Sequence, residues 1–163
     1  MNRRVLALAI TAMLGAGTGG ALAEDKEPAA VVGLGMAGEW DLPGPASVGP
    51  SASVEFGVVK DWLEIEIGTA ALFHRGTTEW DTDLVFKKPF TLSPTVEFMV
   101  GAGPTWRYTR ADGGRWGTTF AADFMFWPQP DRKLGWFLEP TYTISQGNEK
   151  SLSLSVGLLV PIP

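Results

Sequence analysis

The 163-residue chain has no cysteine. An exported protein of this size therefore has no disulfide scaffold, and packing and backbone hydrogen bonds alone must hold the fold. Histidine occurs once, and one histidine among carboxylates makes a poor transition-metal site. No basic run occurs and the formal net charge is −5, which argues against nucleic acid as a partner. No apolar run approaches the roughly 20 residues that a spanning helix requires. The stretch beyond residue 23 carries no helical apolar stripe.

What is present begins with a secretory leader. Arg3 and Arg4 give a positive start, Val5 to Leu14 is a short apolar run, and Ala21-Leu22-Ala23 is a small-x-small cleavage site before Glu24. The expectation is a signal peptide over 1–23 and one domain over 24–163, without the two arginines and so at formal charge −7. No cysteine follows the cleavage site to carry a lipid anchor.

The rest is dominated by period-two alternation broken by turn residues. Eight strands are expected, near 29–40, 51–59, 62–74, 78–88, 95–109, 116–127, 135–145 and 150–162. One face of every strand is apolar with no charge interrupting it, as in Val54, Phe56 and Val58 or Leu152, Leu154 and Val156. The other face is small or charged, including Gly33, Gly35, Glu39, Glu55, Glu64, Glu66, Asp81, Asp83, Lys87, Glu97, Arg107, Asp123 and Glu139. Strands of this length with an apolar exterior and a polar interior are the signature of a transmembrane barrel. Closing the sheet also removes its exposed edges. Aromatic rings gather at both strand ends: Trp40, Phe73, Trp80, Trp106, Tyr108 and Trp116 at the outer, and Trp62, Phe86, Phe90, Phe98, Phe126, Trp127 and Trp136 at the inner. Two such girdles suit the two bilayer interfaces.

The glutamates in "DWLEIEIGTA" (61–70) share the inward face of the third strand. A short loop at Lys60-Asp61 places Val58 opposite Leu63 and Phe56 opposite Ile65, and so Glu55 opposite Glu66. A type II′ turn at Gly76-Thr77 places Phe73 opposite Trp80, His74 opposite Glu79, and Glu66 opposite Lys87. Like charges face to face need a cation, which Lys87 supplies, with Arg107 a second from across the lumen. The expected lumen network comprises Glu55, Glu64, Glu66, Lys87, Glu97, Arg107, Asp123 and Glu139, in a structural role. An eight-stranded barrel is just wide enough for side chains, so a plugged lumen is expected rather than a pore.

No catalytic or metal-binding residue is expected, and no cofactor. "GLGMAG" (33–38) matches the dinucleotide fingerprint by letter, but "EWDLPGP" after it cannot start the helix that the motif needs. His74 with Glu79 reads as a solvated rim pair. Glu79, Asp81 and Asp83 form an acidic strip able at most to hold calcium or magnesium weakly. Pro104 and Pro140 fall inside expected strands and demand either a bulge or an earlier strand end.

With this pattern established, the chain resembles the small eight-stranded outer-membrane barrels typified by OmpX and the OmpA membrane domain. The segments "DLVFKKPFTLSPTVEFMVGAGP", "DFMFWP" and "GWFLEP" carry a further likeness to small proteobacterial barrels of that kind. The resemblance implies an all-β up-and-down barrel, inserted by the barrel-assembly machinery into the outer membrane of a Gram-negative bacterium. Outer-membrane lipid would be its surroundings, and a monomer its state. The implied role is non-enzymatic: structural, membrane-integrity or surface interaction. The chain departs from the pattern in ending "VGLLVPIP" without a terminal aromatic, and in its short outer loops. Two other readings compete: a lipid-modifying barrel enzyme centred on His74, and a soluble periplasmic barrel that binds an apolar ligand.

Overall fold

The computed structural model describes residues 28–129 and 132–163, so the expected leader lies outside the described residues. Eight strands run β1 Ala30–Leu42, β2 Ala46–Val59, β3 Leu63–His74, β4 Thr77–Ser93, β5 Val96–Thr109, β6 Gly113–Phe126, β7 Gly135–Ser145 and β8 Lys150–Ile162. They pair antiparallel in chain order and close through β1 and β8. Each strand's backbone donors and acceptors thus have a neighbour on both sides, which is what allows strands to cross an apolar medium. Because the strand number is even, Ala30 pairs with Ile162, and the start of β1 and the end of β8 lie at one end of the barrel.

The packing is inside out relative to a water-soluble domain. Among the described residues the buried set holds twelve polar or charged side chains against ten apolar ones, while Leu34, Ile67, Phe86, Phe120 and Leu158 lie exposed. An exposed apolar surface of this extent is not tolerated by a soluble monomer and marks a lipid-facing wall. Aromatic contacts brace the wall across strands, with Phe126 stacked on Trp136 at 3.9 Å and Phe98 against Phe124 at 4.7 Å, while Trp106 stacks on Tyr108 along β5 at 5.6 Å.

Three strands are longer than expected by several residues, and β1 runs two residues further, to Leu42. β2 starts at Ala46, β4 runs to Ser93 and β6 starts at Gly113. The turn-rich composition of these ends suggested loops, but pairing with already placed neighbours, such as Ala46 with Trp40, extends the ladder through them. The β3–β4 hairpin also differs from expectation. His74 pairs with Thr77, leaving Arg75 and Gly76 at φ 42° and 84°, the backbone of a type I′ turn. That turn matches the right-handed twist of the strands, and it shifts every partner by two residues: Glu66 faces Val85, and Lys87 faces Glu64. A shift of two preserves parity, so Glu66 and Lys87 still point inward. In the β2–β3 hairpin Glu55 is opposite Glu66, but an irregularity between Gly57 and Val59 puts Val59, not Val58, opposite Leu63.

Neither Pro104 nor Pro140 ends a strand or makes a bulge. β4–β5 pairing lapses between Asp83–Thr105 and Phe86–Ala102, and β6–β7 pairing between Ala121–Thr141 and Phe124–Leu138, with the register unchanged across each gap. The same lapse occurs at Pro50 in β2–β3, between Val48–Phe73 and Ser51–Ala70. Proline has no N–H, so at each gap the opposite strand lacks one donor. At two of the gaps the preceding residue is glycine. A Cβ on Gly49 would lie 1.7 Å from the Ala71 carbonyl oxygen, and one on Gly103 would lie 1.8 Å from that of Leu84. Gly103→Ala must therefore push two ladder strands apart. We expect a loss of about 1–3 kcal/mol, read as a lower denaturant midpoint by tryptophan fluorescence, whereas an alanine at Gly57, where nothing lies within 4 Å, should leave the midpoint in place.

Candidate functional site

The inward face converges on two cationic side chains at two levels of the lumen. Lys87 extends from β4 with its side chain fully buried, and its Nζ meets carboxylates from four other strands. It donates to Glu66 Oε2 at 2.9 Å, Asp123 Oδ2 at 3.0 Å and Glu139 Oε2 at 2.6 Å, and lies 3.3 Å from Glu55 Oε2. Because these partners stand on β2, β3, β6 and β7, the ammonium ties opposite walls of the barrel together.

Arg107, on β5, organises the second level. Its guanidinium donates to both carboxylate oxygens of Glu39 and, at 2.8 Å, to Ser151 Oγ. A two-point fork of this kind fixes orientation as well as charge. Ser153 donates to Glu39 at 3.0 Å, while Asp81 and Glu79 lie 3.4 and 3.8 Å from the guanidinium. Thr105 Oγ1 donates to Asp81 Oδ1 at 2.6 Å, and the Gly68 N–H donates to Asp83 Oδ1 at 3.1 Å. A cavity of about 60 Å³, lined by residues of both levels including Glu66, Glu139, Asp81 and Asp83 together with serine and threonine hydroxyls, is room for a few water molecules.

Toward the chain ends the lumen turns apolar. Met99, Met125, Trp127, Phe137 and Leu159 form a buried cluster, with Val31 packed against it. Trp127 donates its indole N–H to Glu97 Oε2 at 3.3 Å. Arg132 donates to Glu97 Oε1 at 2.8 Å and lies over the Trp127 ring. Below this plug a wide vestibule opens past Glu64, Thr91 and Lys60.

The expected network residues thus divide among four places. Glu55, Glu66, Lys87, Asp123 and Glu139 meet in one cage. Arg107 belongs to the other level, and Glu97 to the plug. Glu64 lines the vestibule outside the cage, although it is opposite Lys87 in the ladder. The expected rim pair of His74 and Glu79 does not form. His74 Nδ1 is 2.7 Å from the Ala46 carbonyl oxygen, and Glu79 pairs across the ladder with Leu72 and turns toward Arg107 and Arg115. The I′ turn is the reason, since it moves the two residues out of register.

Trp127 also differs from its expected place in the inner girdle. It is 1% exposed and points into the lumen, because it lies just past β6 where its backbone N–H is held by the Thr95 carbonyl at 2.8 Å. Sequence reasoning did not find Glu39 as the partner of Arg107, 68 positions away, or the role of Arg132. Parity had already put Glu39 on the inner face; what was lacking was a signal for which inward groups meet across the lumen.

An apolar belt, closed backbone pairing and a polar, filled interior define an eight-stranded transmembrane β-barrel, the fold of the small outer-membrane barrels. Among solved structures the chain is similar to Neisserial surface protein A, with a TM-score of 0.66 at 15% identity over 82% of this chain and 97% of that one. It is also similar to the N-terminal barrel domain of Pseudomonas aeruginosa OprF, with a TM-score of 0.60 at 13% identity over 82% and 99%. Ail, the attachment invasion locus protein of Yersinia pestis, gives 0.57 at 12% identity over 83% and 99%. Likeness at these identities is likeness of fold. No protein-family model matches the sequence, and comparison with curated proteins finds no match.

Proposed function

We propose that the chain is a non-enzymatic outer-membrane barrel of a Gram-negative bacterium, with a structural, membrane-integrity role and lipid as its principal contact. The observation that carries this reading is the combination of a lipid-facing exterior with a lumen closed by two ion-paired levels and an apolar plug. Such an exterior is stable only in lipid, and such an interior has little room for a permeating solute or an apolar ligand. Passage through the barrel-assembly machinery and a monomeric state complete the proposal.

A surface-interaction role finds support in the names of two structural neighbours, a surface protein and an attachment invasion protein. Here the connections at the end away from the termini are short, covering only 43–45, 75–76, 110–112 and 146–149. They offer a partner little area, which favours the integrity role. Catalysis at His74 finds no support in the geometry, because its ring is held by a backbone carbonyl and Glu79 is engaged by arginines.

The deciding experiment is fractionation with gel mobility. The protein is expected in the outer-membrane fraction, with migration that changes on heating. Release by osmotic shock would overturn the membrane reading. In planar bilayers the purified barrel is expected to give no large, steady ohmic channels, and their appearance would rule out a sealed lumen.

A further inference from the structure

The Lys87 cage does not balance its own charge. One ammonium lies within 3.3 Å of the carboxylates of Glu55, Glu66, Asp123 and Glu139. With all four ionised, the cage carries a formal excess of three negative charges (four against one). In an interior where these side chains are at most 12% exposed, such an excess is costly unless protons or cations offset it.

Two observations favour a cation. Glu55, Glu66 and Asp123 each present a carboxylate oxygen, and these oxygens lie within 4.8 Å of one another. Within that group Asp123 Oδ1 is buried without a hydrogen-bond partner, on a residue only 2% exposed, and Glu55 Oε2, on a residue 3% exposed, has no hydrogen bond and only the Lys87 ammonium at 3.3 Å. Buried acceptors almost always have a donor or a positive partner, so the orphaned Asp123 oxygen in a cage with excess negative charge calls for one. Each carboxylate has two oxygens and Lys87 engages one of each, leaving oxygen ligands to spare. A donor set made only of oxygen suits a hard cation. Calcium accepts irregular, carboxylate-rich shells, whereas magnesium demands a near-regular octahedron. Glu66 and Glu139 also border the small polar cavity, which has space for coordinating water.

We propose that the carboxylate cage is a binding site for a calcium-type divalent cation, and that the Lys87 ammonium is the tethered competitor for that site. Lys87 then keeps the cage partly neutral when the cation is absent and lowers its affinity when the cation is present. The site depends on the folded lumen alone, so its test stands apart from that of cellular location.

The test uses the whole barrel, folded in detergent micelles, freed of metal with chelator and titrated with calcium, magnesium or sodium chloride. Binding is read by calorimetry and by thermal unfolding. One calcium per barrel is expected, with a rise in unfolding midpoint that chelator reverses and a weaker response to magnesium. Asp123→Asn should weaken calcium binding by about tenfold or more, because it removes one charged ligand. Lys87→Gln should tighten it by a comparable factor, while Glu149→Gln at the exposed far end should leave it unchanged. Folding of each variant is checked by its heat-dependent gel shift. If Lys87→Gln folds only with calcium, that rescue supports the site, and failure of calcium to rescue it counts against. Absence of calcium binding by the wild-type barrel at millimolar concentration, or unchanged binding in Asp123→Asn, overturns the proposal and leaves protons as the balancing charge.

Discussion

Replacing Lys87 with methionine is expected to cost the barrel about 3–5 kcal/mol in calcium-free buffer. The loss is larger than that of an ordinary ion pair because one substitution strands four carboxylates on four strands. Methionine approximates the volume of the lysine stem, so little of the effect should come from a cavity. The measurement is denaturant unfolding of the folded barrel in micelles, followed by tryptophan fluorescence. A companion variant separates charge from packing. Adding Glu55→Gln, Glu66→Gln, Asp123→Asn and Glu139→Gln to Lys87→Met removes the stranded charges and should recover most of the loss, since neutral replacement of a whole buried ionic group is often nearly neutral in stability. A Lys87→Met barrel as stable as the wild type would show that the cage carries no net energy.

The second large effect is expected at Arg107. Arg107→Leu leaves Glu39 buried at 3% exposure, with only serine hydroxyls as donors, and should cost about 3–5 kcal/mol. Coupling is the more telling quantity. Glu39→Leu in the Arg107→Leu background should cost clearly less than in the wild type, with an interaction energy of about 1–3 kcal/mol from the double-mutant cycle. Arg107→Lys should recover only part of the loss, because an ammonium cannot reproduce the two-point fork on Glu39. Strict additivity of the two leucine substitutions would show that the groups act separately.

The two residues differ in how visible their partners were. Glu55, Glu66 and Lys87 stand on consecutive strands joined by short hairpins, so parity and turn length were enough to bring them near one another. The hairpin itself was misjudged by one turn type, since "RGT" can place glycine at either central position. Arg75 takes the left-handed conformation that a non-glycine residue adopts less readily. The error moved Glu79 away from His74 yet left Glu66 beside Lys87, because a shift of two residues keeps faces and moves a long side chain only to a diagonal neighbour.

Trp127 shows another limit. At a strand end, an aromatic ring outside the bilayer and one plugging the lumen share the same composition. Only the position of Thr95 and Glu97 decides between them.

Alternation along each strand was enough to determine that this chain makes a closed barrel with an apolar outside and a charged inside. That is a local property: the strand period is two, and a face that is apolar in every strand can be satisfied only by lipid. The meeting of Glu39 with Arg107 and of Asp123 and Glu139 with Lys87 was decided only by the assembled barrel. These contacts cross the lumen between strands whose relative height depends on the tilt and stagger of the whole barrel. No local pattern encodes that stagger, and so the sequence shows which residues face inward while the tertiary structure selects which of them touch.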